Sequence, residues 1–349
     1  MSDNTVGVAI LSYAHPHHAA GYTHALTQID GVRVAAIYDE DPARGQAYAR
    51  QFGVPDHYSE LAPLLQRSDI HAVVVCSATD QHAPLVLAAA EAGKHVLCEK
   101  PIATRIEDAN TMIAACKRTQ VQLHIAFPLR FMPVVAAAKS KIGNNEIGAL
   151  FSITGGNRGR PPLPPGYPAW ITDATHAGGG ALMDHSVHVT DAMRYLSGAE
   201  VESVYAEAAT LFHEGLTVDD CGLLLLRFSN GIVASVDPSW SMPHANPFHY
   251  DFWLRIVGTD GLIGLDETQQ TLRVASDIRS ARGVTWEAFG ISPDMEMVRH
   301  FVQCVRTGKS SAPGASGEDG LRALEIALAA YESVRTGQPV MLRQETVQV

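Results

Sequence analysis

Three residues carry most of the chemistry that the spacing in this chain permits. Lys100 follows a short apolar run, Val96-Leu97-Cys98, then Glu99, and stands directly before Pro101. Proline cannot donate to a sheet ladder and turns the residue before it away from helix, so Lys100 is expected at a strand's carboxyl end. Open α/β sheets bind their ligands there, and a lysine so fixed acts as a proton donor or as a positive clamp on a substrate oxygen. An ordinary surface lysine after a strand is the plainer alternative. Asp184 and His188 are four residues apart, in a stretch whose Leu182, Val189 and Met193 mark a helix with one buried side. A carboxylate beside an imidazole orients it and raises its basicity, which suits a general base acting on a hydroxyl. Two other readings stay open. One is a structural hydrogen-bonded pair. The other is a metal held by Asp184 and His188 with His176, His185 or His244, although spacing fixes no third ligand.

The elements that must position these groups alternate in the first half. Val6–Ile10, Val32–Tyr38, His71–Cys76, the run into Lys100 and Val121–Phe127 read as strands, mostly apolar throughout, as expected where both sheet faces are buried. Helices are predicted between them. One opens on Asp41-Pro42 and closes at Gly53, and one opens on a Thr104/Glu107 capping box. Such βαβ units give a parallel, doubly wound sheet over residues 1–128. Its first turn should carry Gly-x-Gly-x-x-Gly, but Ile10, Ser12 and His15 hold those positions. Ser12 is small enough to let a pyrophosphate approach and has a hydroxyl to donate, and His15, His17 and His18 are expected near the phosphates. Asp39 ends the second strand, where a carboxylate accepts from an adenosine ribose hydroxyl and repels a 2′-phosphate. NAD is therefore expected over NADP, with a turn-capping role for Asp39 as the alternative.

Residues 129–349 follow a different pattern. A helix precedes Gly143, Pro/Gly-rich and Gly-Gly-Gly loops flank position 170, and beyond position 200 short alternating strands are joined by turns such as Ser229-Asn230-Gly231 and Thr259-Asp260-Gly261. This predicts an α+β domain on a large open, mainly antiparallel sheet. One face should meet helices and the other a second subunit, giving a homodimer or homotetramer. Two helices, Met295–Thr307 and Gly320–Thr336, end the chain, with Asp319 as N-cap.

Composition narrows the class. The chain has 349 residues, 46% hydrophobic, with a net charge of -11 and no basic cluster, so nucleic acid is not an expected partner. No apolar run is long enough to span a membrane, and Met1-Ser2-Asp3-Asn4 does not open a secretory signal. Five cysteines without a CxxC read as reduced thiols in a cytoplasmic protein.

Several motifs together resemble the Gfo/Idh/MocA family, the glucose–fructose oxidoreductase and inositol dehydrogenase group. They are Ala92-Gly93-Lys94-His95-Val96-Leu97-Cys98-Glu99-Lys100-Pro101, Gly178-Gly179-Gly180 through Asp184 and His188, Ala126-Phe127 with Arg130-Phe131, and Ala329-Ala330-Tyr331-Glu332-Ser333. The resemblance implies a Rossmann domain, an open-sheet second domain and NAD(P)-dependent oxidation of sugars, cyclitols or related alcohols. It makes Lys100, Asp184 and His188 the catalytic triad and implies no metal. Ser77, Thr79, His82 and Glu99 join Ser12, His15, Asp39 and Lys100 as the expected cofactor set. Lys100, Arg130, Arg158, Trp170, His176 and His185 form the expected substrate set. Two further departures from the family pattern are Ala78-Thr79 after the strand ending near Cys76, and His185-Ser186 where small residues are common.

The reaction implied is hydride transfer between nicotinamide and a hydroxyl-bearing carbon, with His188 as base, Asp184 aligning it and Lys100 stabilising the alkoxide. Two alternatives keep the fold. Tightly held NAD would allow redox-neutral glycoside cleavage or epimerisation, and a dinucleotide sensor would bind without turnover.

Overall fold

A computed structural model describes residues 5–266, 271–276, 283–288 and 291–342. The Met1–Asn4 segment, expected to open no secretory signal, lies outside the described residues. In chain order the first elements are β1 (Val6–Leu11), α1 (Pro16–Thr27), β2 (Val32–Tyr38), α2 (Pro42–Phe52), β3 (His57–Tyr58), α3 (Leu61–Leu65), β4 (Ala72–Val75), α4 (His82–Glu91), β5 (His95–Cys98), α5 (Ile106–Thr119) and β6 (Leu123–Ile125). α6 (Pro133–Gly143), β7 (Leu150–Gly159), α7 (Ala174–Ala177) and α8 (Ala181–Ser197) follow. Next come β8 (Val201–Ala209), β9 (Cys221–Phe228), β10 (Val233–Ser239), β11 (Tyr250–Gly258), β12 (Leu262–Asp266), β13 (Thr271–Ser276) and β14 (Gly283–Ala288). α9 (Pro293–Thr307), β15 (Ala315–Ser316), α10 (Gly317–Thr336) and β16 (Val340–Met341) close the described chain.

Two sheets organise two compact units. The first sheet runs β15-β6-β5-β4-β1-β2-β3, parallel except for β15 on β6. β1 lies between β4 and β2, so the strand order reverses there and the carboxyl ends of β1 and β4 diverge around a crevice, the ligand position of such sheets. Side chains from β1 and β4 are buried on both faces, which is why these strands read as unbroken apolar runs. Local chemistry sets the helix ends. The Asp41 carboxylate accepts from Ala43 N at 2.9 Å and Arg44 N at 3.2 Å, and Gly53 closes α2 at φ 65°.

Two predicted caps differ. α5 begins at Ile106 with Arg105 as N-cap, so the Thr104/Glu107 box is out of register and Glu107 pairs with Arg105. For α10 the N-cap is Ser316, which forms a reciprocal box with Asp319. Ser316 N donates to Asp319 Oδ2 at 2.9 Å, and Asp319 N to Ser316 Oγ at 3.2 Å.

The units do not follow the expected single cut at residue 128. Residues 1–131, 163–179 and 293–324 make the first, and 132–162, 180–292 and 325–349 the second. The reason is apolar: Met297, Val298, Phe301 and Val302 form one stripe on α9 and are buried in the cluster that holds Tyr22 and Leu26 of α1. Burying each such side chain contributes about 1.5–3 kcal/mol.

The second sheet runs β12-β11-β7-β10-β9-β8-β16, with only β10 on β7 parallel. Its register separates two faces. Leu224, Leu226, Val236, Ile153, Leu254 and Ile256 are buried on the face that α8 covers. Leu223, Leu225, Val233, Val257 and Leu262 stand on the other face and are 41–74% exposed.

Candidate active site

In the first unit, the crevice is lined from the carboxyl ends of β1, β2, β4 and β5. Ser12 adopts φ 74°, the left-handed conformation that a glycine usually supplies. Its hydroxyl is not left for a phosphate, as expected from the sequence, because it donates to Glu40 Oε1 at 3.0 Å and accepts from Ala14 N at 3.0 Å. The next amides are also engaged: Tyr13 N donates to Asp39 Oδ2 at 2.8 Å and His15 N to the Cys76 carbonyl at 3.0 Å. His15 caps α1 and stacks on His18 with ring centroids 3.8 Å apart. His18 pairs with the buried Glu99 at 2.9 Å. Burial alone would raise the Glu99 carboxyl, but the imidazole beside it holds it well below the usual range.

Asp39 is fully buried, and its carboxylate accepts from Tyr13 N, Asp41 N and the Arg44 guanidinium, Nη2 to Oδ1 at 2.8 Å and Nε to Oδ2 at 3.0 Å. Burial raises its carboxyl, partly offset by Arg44. Both oxygens are therefore engaged by the chain itself, and the outward carboxylate at this strand end is Glu40, 49% exposed. Arg44, five residues beyond Asp39 and not among the expected cofactor residues, is brought back to it by the first turn of α2. The repulsion of a 2′-phosphate expected from Asp39 is offset accordingly.

At the end of β4, Ser77 and Thr79 are nearly inaccessible, and His82 Nδ1 faces the carbonyls of Pro101 at 3.0 Å and Ile102 at 3.3 Å. Burial lowers the His82 imidazole, so it stays neutral, with Nε2 as its acceptor side. Among the described residues His82 Nε2 and Asp80 Oδ1 are buried without a hydrogen-bond partner, which suits a polar ligand at this strand end. With Ser12 in the left-handed region and Glu40 at the end of β2, these groups fit a dinucleotide. Lys100 follows β5, its N–H bonded to Glu99 Oε2 at 3.1 Å, and the Lys100–Pro101 peptide is cis.

Residues 163–179 also pack in the first unit. Trp170 Nε1 donates to the Ala14 carbonyl at 2.9 Å, His17 packs in a tilted arrangement on Tyr167 with ring centroids 4.6 Å apart, and His176 pairs with Asp80 at 2.9 Å, which raises the His176 imidazole. Trp170 and His176, expected at the substrate, are thus anchored on the loops after β1 and β4. Arg130, also expected at the substrate, is buried and paired to Asp319 at 3.0 Å, which holds β6's exit on α10.

In the second unit, α8 presents Asp184 and, one turn on, His188. Asp219 caps this helix from outside it, accepting from Gly180 N at 3.1 Å and Leu182 N at 2.7 Å. Tyr331 donates to Asp219 Oδ1 at 2.7 Å and accepts from Gly180 N at 2.9 Å and Met183 N at 3.3 Å. Glycine is required at 180, because a Cβ there would lie 2.0 Å from the Asp219 carbonyl oxygen. This cap explains Tyr331 of the Ala-Ala-Tyr-Glu-Ser motif, which spacing alone does not connect to α8. Asp184 Oδ2 accepts from the indole N–H of the fully buried Trp240 at 3.2 Å and lies 3.2 Å from His185 Nε2. Arg158, also expected at the substrate, is on the opposite sheet face, beside Asp237 at 3.3 Å and over the Trp253 ring. Strand alternation sends Asn157 and Gly159 to the α8 face and Arg158 away from it. Among the described residues no group of three or more His, Cys, Asp or Glu is arranged to hold a metal ion.

The doubly wound sheet with ligand-facing loops at its switch point, joined to an open-sheet unit, defines a dinucleotide-dependent oxidoreductase architecture. Residues 6–127 match the model of an oxidoreductase family with an NAD-binding Rossmann fold, and residues 135–264 match the GFO/IDH/MocA C-terminal domain. The chain is 31% identical over 335 residues to the myo-inositol 2-dehydrogenase of Thermotoga maritima, covering 93% of this chain and 96% of that one. It is 31% identical over 340 residues to the scyllo-inositol 2-dehydrogenase (NAD(+)) of Bacillus subtilis, covering 92% and 93%. A levoglucosan dehydrogenase solved in complex with NADH and levoglucosan aligns with TM-score 0.81 and 29% identity, over 97% of this chain and 100% of that one. The chain belongs to the GFO/IDH/MocA oxidoreductase family, and its first domain is an NAD-binding Rossmann domain.

Proposed function

We propose that this protein is an NAD-dependent dehydrogenase that oxidises a hydroxyl-bearing carbon of a cyclitol, sugar or related polyol. The observation that carries the reading is the fixed carboxylate on α8: Trp240 and His185 hold Asp184, and His188 follows one turn later. NAD, when bound, supplies the hydride acceptor. Glu40, Ser77, Thr79 and the loop after β1 hold it, with Arg44 tying Glu40 and Asp39 together. His188 takes the hydroxyl proton, Asp184 keeps the helix face negative beside it, and the Lys100 ammonium stabilises the developing alkoxide. Inositol and levoglucosan dehydrogenases among the relatives support a ring polyol as substrate.

The first unit is assigned to the cofactor. The second is assigned to the proton-handling groups and to self-association, with a second copy of the chain covering the apolar open face of its sheet in a homodimer or homotetramer. None of the five cysteines forms a disulfide, and among the described residues no helix is long and apolar enough to cross a membrane, which supports a cytoplasmic location. A screen of inositols and sugars with NAD and NADP, followed by the absorbance of reduced nicotinamide, tests the function. Stoichiometric NADH formation with at least one polyol is expected. Binding of NAD without turnover of any polyol would overturn the reading in favour of a sensor, and product without net NADH in favour of the redox-neutral reaction.

A further inference from the structure

Trp170 and His176, which the sequence put at the substrate, belong instead to a strap on the cofactor crevice. Residues 163–179 pack in the first unit and hold only a 3₁₀ turn at Ala169–Thr172 and the short α7. Three hydrogen bonds pin this strap to loops at the carboxyl end of the parallel sheet. Trp170 Nε1 donates to the Ala14 carbonyl at 2.9 Å, and its ring meets that of His15 edge to face with centroids 6.0 Å apart. His17 Nε2 lies 2.9 Å from the Gly166 carbonyl oxygen, and because a carbonyl only accepts, this nitrogen donates. Toward the other end His176 Nδ1 lies 2.9 Å from Asp80 Oδ2. Ala14, His15 and His17 follow β1, and Asp80 follows β4, so the pins stand on both banks of the crevice in which such sheets hold a dinucleotide.

The strap is pinned but thinly packed. Within it only Ile171, Ala177 and Gly179 are buried, so lifting it breaks a few hydrogen bonds and exposes little apolar surface. Segments of this length with so little regular structure are commonly lids over a site. We infer that residues 163–179 are a gate for the cofactor: the strap must lift from Ala14 and Asp80 for NAD to enter or leave. The inference rests on the assignment of this crevice to NAD and adds how the cofactor passes. Every pin joins two atoms of the chain and none joins the chain to the ligand. Weakening a pin therefore speeds passage in both directions and leaves the binding equilibrium nearly where it was.

Stopped-flow fluorescence of NADH with the full-length protein tests this, association being read on mixing and release on displacement with excess NAD. Trp170→Phe keeps an aromatic ring and loses the N–H, and both rate constants should rise about 3- to 10-fold. His176→Ala loses the pair with Asp80, and both should rise about 2- to 5-fold. Kd should change by less than about twofold in each variant. Unchanged rates in either variant would overturn the gate. So would a weaker Kd with an unchanged association rate, the mark of a strap that grips the ligand. Hydrogen exchange of the wild-type chain needs no variant: the amides of 163–179 should exchange faster than those of β1 and β4 and slow on addition of NADH, and strap amides as protected as the strands would overturn the inference. Absence of NADH binding to the wild type would overturn the cofactor assignment together with the gate, whereas normal binding with unaltered kinetics in the variants removes the gate alone.

Discussion

Replacing Tyr331 with phenylalanine removes one oxygen at the point where α8 begins. That hydroxyl donates to Asp219 Oδ1 at 2.7 Å and accepts from Gly180 N at 2.9 Å and Met183 N at 3.3 Å. Gly180 N keeps its bond to Asp219, and Leu182 N is untouched. Two losses therefore remain: a hydrogen bond to a charged group, about 1.5–3 kcal/mol, and a buried Met183 N–H without its partner, about 1 kcal/mol more. Relaxation of the first turn recovers part of this, so an overall loss of about 2–3 kcal/mol is expected by urea denaturation. Asp184 is the residue after Met183. A looser first turn misplaces its carboxylate, and kcat should fall about 10- to 100-fold with KM changing much less. A stability change under about 0.5 kcal/mol together with unaltered kcat would refute the reasoning that Tyr331 and Asp219 position α8.

Other perturbations follow from the same contacts. Gly180→Ala should be more damaging than Tyr331→Phe, because the obstructing atom at 2.0 Å is backbone, and the yield of folded protein checks it. His124 is buried beside His300 and His95, and burial lowers its imidazole from 6.5 to about 4. The unfolded chain binds that proton and the folded chain does not, so stability holds above pH 6.5 and falls toward pH 4 by up to about 3 kcal/mol; His124→Gln should flatten the slope measured by denaturation against pH. Arg44→Ala should weaken NADP binding about tenfold more than NAD binding, read by fluorescence titration, since the guanidinium is the positive group at the end of β2. Leu225→Glu places a charge on the open sheet face and should shift the protein toward monomer in sedimentation analysis, with the Rossmann unit still binding NAD.

The parallel sheet was legible because strands buried on both faces leave unbroken apolar runs, and Lys100 could be put at a strand end from Pro101 alone. The open sheet was legible for the complementary reason: alternation at β9 separates Leu224 and Leu226 from Leu223 and Leu225. What escaped were side-chain destinations set by tertiary contact. Arg44 lies five residues beyond Asp39 and meets it only because α2 turns back over the strand end. Arg158 carries the charge expected of a substrate ligand, but its parity along β7 sends it to the other face. Arg130 is taken by Asp319, nearly two hundred residues away in the chain, and Asp219 and Tyr331 meet the start of α8 from 39 and 151 residues beyond Gly180. Helix α9 was expected with the second domain, but its apolar stripe matches α1.

The central claim, that a ring polyol is oxidised with NAD and that Lys100 stabilises the alkoxide, is tested most directly in Lys100→Ala by steady-state turnover of the polyol found in the screen, alongside a titration of NAD binding. The account predicts that kcat falls about 10²- to 10⁴-fold while NAD affinity changes by no more than a few-fold. Wild-type turnover in that variant would contradict it.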